Sequence, residues 1–255
     1  MTTSFNEQFD QLGAWRREFA LRLKLLSEWM KDNELLDAAV EERLRRLGTQ
    51  VRSDKVMVAF VAEFSRGKSE MINAVFFAGY GRRIMPASAG RTTMCPTEMG
   101  YDAEVPPCLR LLPIESRLQP QALMEWRMVP EKWTRIDLDV NNPQQLASAL
   151  EKVAETRKVT QDEARALGFW HSQAPEDNPM VDAQGMVEVP KWRHALINIA
   201  HPLLKQGLVI LDTPGLNAIG AEPELTVSLI PQAHAVVFIL GADTGVTKSD
   251  LAIWR

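Results

Sequence analysis

The stretch VMVAFVAEFSRGKSEMINAVF, Val56 to Phe76, decides the fold. Val56 to Phe60 is a short continuous apolar run rich in β-formers, which predicts a buried strand of a parallel sheet. The polar segment AEFSRGKS, Ala62 to Ser69, follows it, and a helix is predicted from about Lys68 to Phe77. Strand, glycine-bearing loop and helix in that order form a P-loop, G-x-x-x-x-G-K-[ST], with Ala62 in place of the first glycine. In this arrangement the backbone N–H groups of Ala62, Glu63, Phe64, Ser65, Arg66 and Gly67 and the helix N-terminus cradle phosphates. Lys68 reaches the β- and γ-phosphates, and the Ser69 hydroxyl is a Mg²⁺ ligand. Gly67 lets the backbone approach the phosphates without a Cβ. Alanine at 62 is workable only if its backbone stays in a region open to L-residues.

A second motif strengthens the first. Leu208 to Gly215 reads LVILDTPG, an apolar strand ending in an acid and then a tight turn. In P-loop proteins an Asp at that strand end holds Mg²⁺, which assigns Asp212 as a metal residue. Gly215 is placed to offer its N–H to the γ-phosphate. Between the motifs, GRTTMCPTE (Gly90 to Glu98) has the character of a switch, a loop whose threonine joins the metal shell only with a γ-phosphate present. Thr93 is the first choice, with Thr92 and Thr97 as alternatives. Leu216 occupies the place where small GTPases carry a water-orienting Gln, a role leucine cannot fill.

The remaining chain is read around this nucleus. Residues 1–52 predict a helical hairpin, with Phe5, Phe9, Leu12, Phe19, Leu23, Leu26 and Met30 on one stripe and Leu36, Val40, Leu44, Leu47 and Val51 on another. Asn33 is expected to cap the second helix. Residues 53–255 predict one α/β domain of the P-loop NTPase, GTPase type. It has a mostly parallel sheet, flanking helices and an insertion at about 113–192 between the switch and the DTPG motif. Further strands are expected near Thr97–Tyr101, Cys108–Leu112, Ala195–Ala200, Leu208–Leu211 and Ala235–Leu240. Helices are expected near Pro143–Arg157, Gln161–Leu167 and Glu222–Gln232, and an exposed loop at Glu176–Gly185.

Composition excludes several classes. The 255 residues are 45% hydrophobic and carry a net charge of −4, so no basic field favours nucleic acid. Two cysteines, Cys95 and Cys108, cannot form a disulfide framework and fit a cytoplasmic setting. No apolar run approaches the roughly 20 residues of a membrane span. His171, His194, His201 and His234 lack metal-ligand spacing and read as packing or surface residues.

Taken together, these motifs resemble those of the bacterial dynamin-like GTPases. The P-loop matches G-E-F-S-x-G-K-S and is followed by Ile72-Asn73-Ala74. Met85-Pro86 precedes Thr92, Thr93, Thr97 and Glu98, and Asp212 to Asn217 reads DTPGLN. The resemblance implies GTP as substrate, Mg²⁺ as cofactor, and a homodimer formed through the GTPase domain. It implies that Ser65, with Lys68 and Thr93, serves catalysis and that Ser65 helps hold a monovalent cation. Phe64 stands where eukaryotic dynamins carry a catalytic polar residue. Arg66 lies one residue after the position of the cis arginine finger of guanylate-binding proteins, so a similar charge-supplying role stands as a hypothesis beside the plainer expectation of a solvent-facing arginine. Peripheral membrane contact and membrane remodelling are implied for the intact protein. TKSD, Thr247 to Asp250, imitates a guanine-reading motif but comes one helix and one strand too early. The base-reading motif is therefore expected beyond Arg255. The alternatives are a switch or scaffold that binds GTP with little hydrolysis and, more weakly, an ATP-using P-loop protein.

Overall fold

The computed structural model describes residues 5–52, 55–63, 66–86, 95–170, 178–214, 229–242, 245–246 and 251. It divides into two compact units, Met1–Lys55 and Val56–Arg255.

The first unit is the helical hairpin, α1 (Phe5–Asp32) and α2 (Ala38–Arg52). The cap of α2 differs from the expectation. Asn33 closes α1 instead, its side-chain amide donating to the Trp29 carbonyl at 2.8 Å. Asp37 caps α2 by accepting from the Val40 N–H at 2.8 Å. The reason is the left-handed Glu34, φ 56°, which ends α1 and leaves room for an extended turn before Asp37.

The second unit is built on a seven-stranded sheet. Its strands are β1 (Val56–Ala62), β2 (Thr97–Gly100), β3 (Cys108–Pro113), β4 (Thr134–Asp137), β7 (Trp192–Asn198), β8 (Leu208–Asp212) and β9 (Ala235–Ile239), in the order β4-β3-β7-β2-β8-β1-β9. Strand β1 runs parallel to both β8 and β9, and β2 runs parallel to β7. The β2–β8, β3–β7 and β3–β4 pairs are antiparallel. The α/β P-loop architecture is therefore as expected, but the sheet is mixed. Parallel neighbours need a crossover, usually a helix. The short connection from β2 to β3 contains none, so β3 runs opposite to β2 and pairs antiparallel with β7, which lies between them.

Side chains of β1 alternate between two cores. Phe60 and Ala62 join Ile72 and Phe76 of α3 (Lys68–Phe76), and Leu146 and Leu150 of α5 (Pro143–Glu151), on one face. Ala59 and Val61 join Leu211, Leu229, Leu123, Trp126 and Trp133 on the other. The sheet is thus the middle of three layers. Ile72 is wholly buried, so truncating it to Ala costs about 2–5 kcal/mol.

The stretch expected to be an insertion is partly woven into this frame. Strand β4 extends the main sheet, and α5 fills its core. Helix α5 stops at Glu151, and Arg157 belongs to β5 (Thr156–Thr160), not to a helix. The β-favouring TRKVT pairs antiparallel with β6 (Met186–Pro190) in a separate two-stranded sheet. With α6 (Gln161–Ala166) it encloses Val159, Ala164, Leu167, Phe169, Val187 and Val189 around Ile114. The Arg117 guanidinium lies 4.6 Å from the Phe169 ring centroid and donates to the Leu167 carbonyl, fastening this lobe to the segment after β3. The expected Glu222–Gln232 helix lies largely outside the described residues, and Ile230–Gln232 is a single 3₁₀ turn. No helix among the described residues is long and apolar enough to cross a membrane.

Candidate functional site

The strand registers bring the motifs to one edge of the sheet. Asp212, the last residue of β8, pairs with Phe60 on one side and with Thr97 on the other. Two residues beyond Phe60, β1 ends at Ala62, which pairs with Ile239. The P-loop, the end of the switch segment and the DTPG turn therefore all start from this edge.

Ala62 is wholly buried and remains in the strand, not in the left-handed region. That is the condition under which an alanine can replace the first glycine. Glu63 and Arg66 pair across the loop, Arg66 Nη2 donating to Glu63 Oε2 at 2.8 Å, with both side chains largely shielded. Arg66 is thus held along the loop rather than projected into solvent. Gly67 caps α3 with φ 84°, and no atom lies within 4 Å of where its Cβ would stand. The positive φ calls for glycine, and the open ground above it leaves room for a phosphate.

Lys68 opens α3 and is buried. Its ammonium donates to Asp212 Oδ1 and to the Thr213 carbonyl. The second carboxylate oxygen, Asp212 Oδ2, is buried and has no hydrogen-bond partner among the described residues. Thr213, also buried, donates its hydroxyl to the Phe60 carbonyl at 2.9 Å and so ties the DTPG turn to β1. A buried unpaired carboxylate oxygen and the half-buried Ser69 hydroxyl at a helix N-terminus form an oxygen donor set that fits Mg²⁺.

One strand over, Glu98 is buried on β2. It accepts from His194 Nε2 of β7 at 3.0 Å and from the Arg127 guanidinium, which follows α4 (Leu123–Trp126). Burial alone would raise this carboxyl. The hydrogen bond and charge of His194, with those of Arg127, instead hold it down to about 2. His194 is therefore part of a buried polar cluster, while His201 caps the short helix α7 (Pro202–Lys205). The His234 Nδ1 accepts the Met57 N–H at 3.0 Å.

Phe64, Ser65, Thr92, Thr93, Gly215, His171 and the Thr247–Asp250 decoy lie outside the described residues. Thr97 is described and buried, its hydroxyl donating to the Cys95 carbonyl at 3.1 Å. Sequence reading assigned no role to Thr213, Arg127 or the Asn73 side chain. Asn73 stood inside the quoted Ile72-Asn73-Ala74, and a polar residue on an apolar helix face was the available signal.

The model of the dynamin family matches residues 58–253, across all three motifs. The chain belongs to the dynamin family. A bacterial dynamin-like protein of Nostoc punctiforme is 23% identical over 266 residues, covering 98% of this dynamin-family chain and 31% of the relative. Two solved structures are similar over the whole chain, with TM-scores of 0.45 and 0.41 and identities of 15% and 14%. Both are described as an oligomerised bacterial dynamin pair that provides a mechanism for long-range sensing and tethering of membranes. The chain spans about a third of these relatives' length, 31% of the curated one and 37% of each solved one.

Proposed function

We propose that residues 56–255 are the GTPase domain of a dynamin-like protein, binding GTP with Mg²⁺ and hydrolysing its β–γ bond. The observation that carries this is the meeting of Lys68 with Asp212 and the Thr213 carbonyl at the edge where Thr97 also ends. A cation placed between a helix N-terminus and a metal-type carboxylate suits a polyphosphate, whose oxygens replace the Lys68–Asp212 contact. In this reading Ser69 and Asp212 hold Mg²⁺, which neutralises charge on the β- and γ-phosphates, and Thr93 completes the shell. Backbone groups of residues 62–67 line the phosphates, and Gly215 senses the γ-phosphate. Ser65 serves catalysis with a monovalent cation across a homodimer of GTPase domains. Arg66, already aligned along the loop by Glu63, supplies further charge to the phosphates. Membrane remodelling by a peripherally associated, otherwise cytoplasmic protein belongs to the intact assembly.

The second reading is a nucleotide-dependent switch with little turnover. Leu216 favours it, since the position after Gly215 holds no group able to orient water. Phosphate release from GTP, measured against protein concentration, separates the two. A specific activity that rises with concentration supports dimer-coupled hydrolysis. Stoichiometric binding without release supports the switch.

A further inference from the structure

Asn73 is a buried polar residue outside the phosphate site. It lies on α3 four residues after Ser69, so the two share a face of the helix that begins the P-loop fold. Its side chain is buried, and its hydrogen bonds among the described residues go to backbone. Oδ1 accepts the N–H groups of Ile84 at 3.0 Å and Met85 at 2.7 Å, and Nδ2 donates to the Met85 carbonyl at 3.0 Å. Ile84 and Met85 belong to no helix or strand, so Asn73 does for them what a neighbouring strand would do. Their side chains are buried in the same core as Ile72, Phe76 and Cys95.

The dipeptide is placed where this matters. Pro86 follows it, and then the residues that carry Thr92 and Thr93. At the far end Cys95 returns to that same core, and Thr97 takes its register opposite Asp212. The switch segment thus leaves from a point held by the P-loop helix and comes back to a point held by the metal-type strand. At the departure point the polar side chain that holds the backbone comes from the P-loop helix, whereas at the return point it is the segment's own Thr97, donating to the Cys95 carbonyl.

We infer that Asn73 is a positioning residue that couples the P-loop helix to the start of the switch segment and sets how well that segment responds to a γ-phosphate. The inference rests on the GTPase reading given above. It assigns Asn73 no contact with nucleotide. Its loss therefore weakens triphosphate binding and leaves diphosphate binding alone, because GDP makes no demand on the switch threonine.

The test is a fluorescence titration of the full chain with labelled GDP and a labelled non-hydrolysable GTP analogue, both with Mg²⁺, alongside a melting curve. The comparison is between wild type, Asn73→Ala and Asn73→Asp. In Asn73→Ala three buried backbone groups lose their partner, and the preference for triphosphate over diphosphate is expected to fall about ten-fold while GDP affinity stays within about two-fold. Asn73→Asp keeps both acceptor contacts and loses the donor, so an intermediate preference is expected. It also carries the comparison if the alanine variant does not fold. An unchanged preference, or both affinities falling together with the melting temperature, overturns the inference while leaving the GTPase reading intact. A wild-type chain that binds neither nucleotide, or shows no triphosphate preference, overturns the site reading and the inference with it.

Discussion

Thr97 sits directly across from Asp212 in the antiparallel pairing of β2 and β8. The last residues of the switch segment and the metal-type carboxylate are therefore fixed to one another by the sheet itself. No flexible link separates them, and Phe60 on the other side of Asp212 extends the same register to the strand that feeds the P-loop. The strand ends that lead to Lys68 and carry Asp212 are thus fixed in register with the end of the switch segment.

The Lys68–Asp212 pair gives the first prediction. Both groups are buried, so removing the cation alone strands a carboxylate. Lys68→Ala is expected to destabilise the chain by about 3 kcal/mol in urea unfolding. Adding Asp212→Asn should restore part of that loss, since a neutral amide costs less to bury unpaired. A double variant less stable than Lys68→Ala would show that Asp212 is not the group left stranded.

Gly67 gives the second. With φ at 84°, a Cβ there is strained although no atom stands in its way. Gly67→Ala is expected to cost about 1–2 kcal/mol of stability, readable as a lowered melting temperature. Unchanged stability would mean that the loop adopts another backbone conformation in solution.

Thr213 gives the third. Thr213→Val preserves volume but deletes the hydroxyl that the Phe60 carbonyl accepts. A loss of about 1 kcal/mol is expected, together with weaker nucleotide binding from a loosened DTPG turn. A stability loss with unaltered binding would confine Thr213 to a structural role.

Glu98 gives the fourth, a dependence on pH. Its carboxyl is held well below the usual carboxylate range, at about 2, in the folded chain. A depressed folded pKa contributes stability that is present above the unfolded value of about 4.3 and is lost as pH falls toward 2. Glu98→Gln should therefore lose stability at neutral pH and show a flatter stability profile between about pH 4.5 and 2. Parallel profiles for wild type and variant would remove Glu98 from the acid response.

Much of this arrangement was legible in the sequence, for physical reasons. Val56 to Phe60 and Leu208 to Leu211 lie in central strands that pass from half-buried at their starts to buried at their ends, so their apolar runs announced them, and the phosphate motifs sit at those ends. What escaped notice depends on distant partners. Strands β4, β5 and β6 are short, and polar residues such as Arg135, Lys158 and Glu188 alternate with the inward side chains. Only pairing supplied by β3 or by each other makes them strands. The capping of α2 turned on the left-handed Glu34, which no periodicity reports. Arg127 reaches Glu98 from 29 positions away, and a single sequence carries no signal for such a pair.

The central claim is that this edge of the sheet binds GTP with Mg²⁺ through Lys68 and Asp212. Calorimetric titration of GTP into the chain, with and without Mg²⁺, tests it most directly. One saturable, Mg²⁺-dependent site is expected, for which GDP competes and which Lys68→Ala abolishes. No saturable heat, binding indifferent to Mg²⁺, or undiminished binding by a folded Lys68→Ala chain would overturn it.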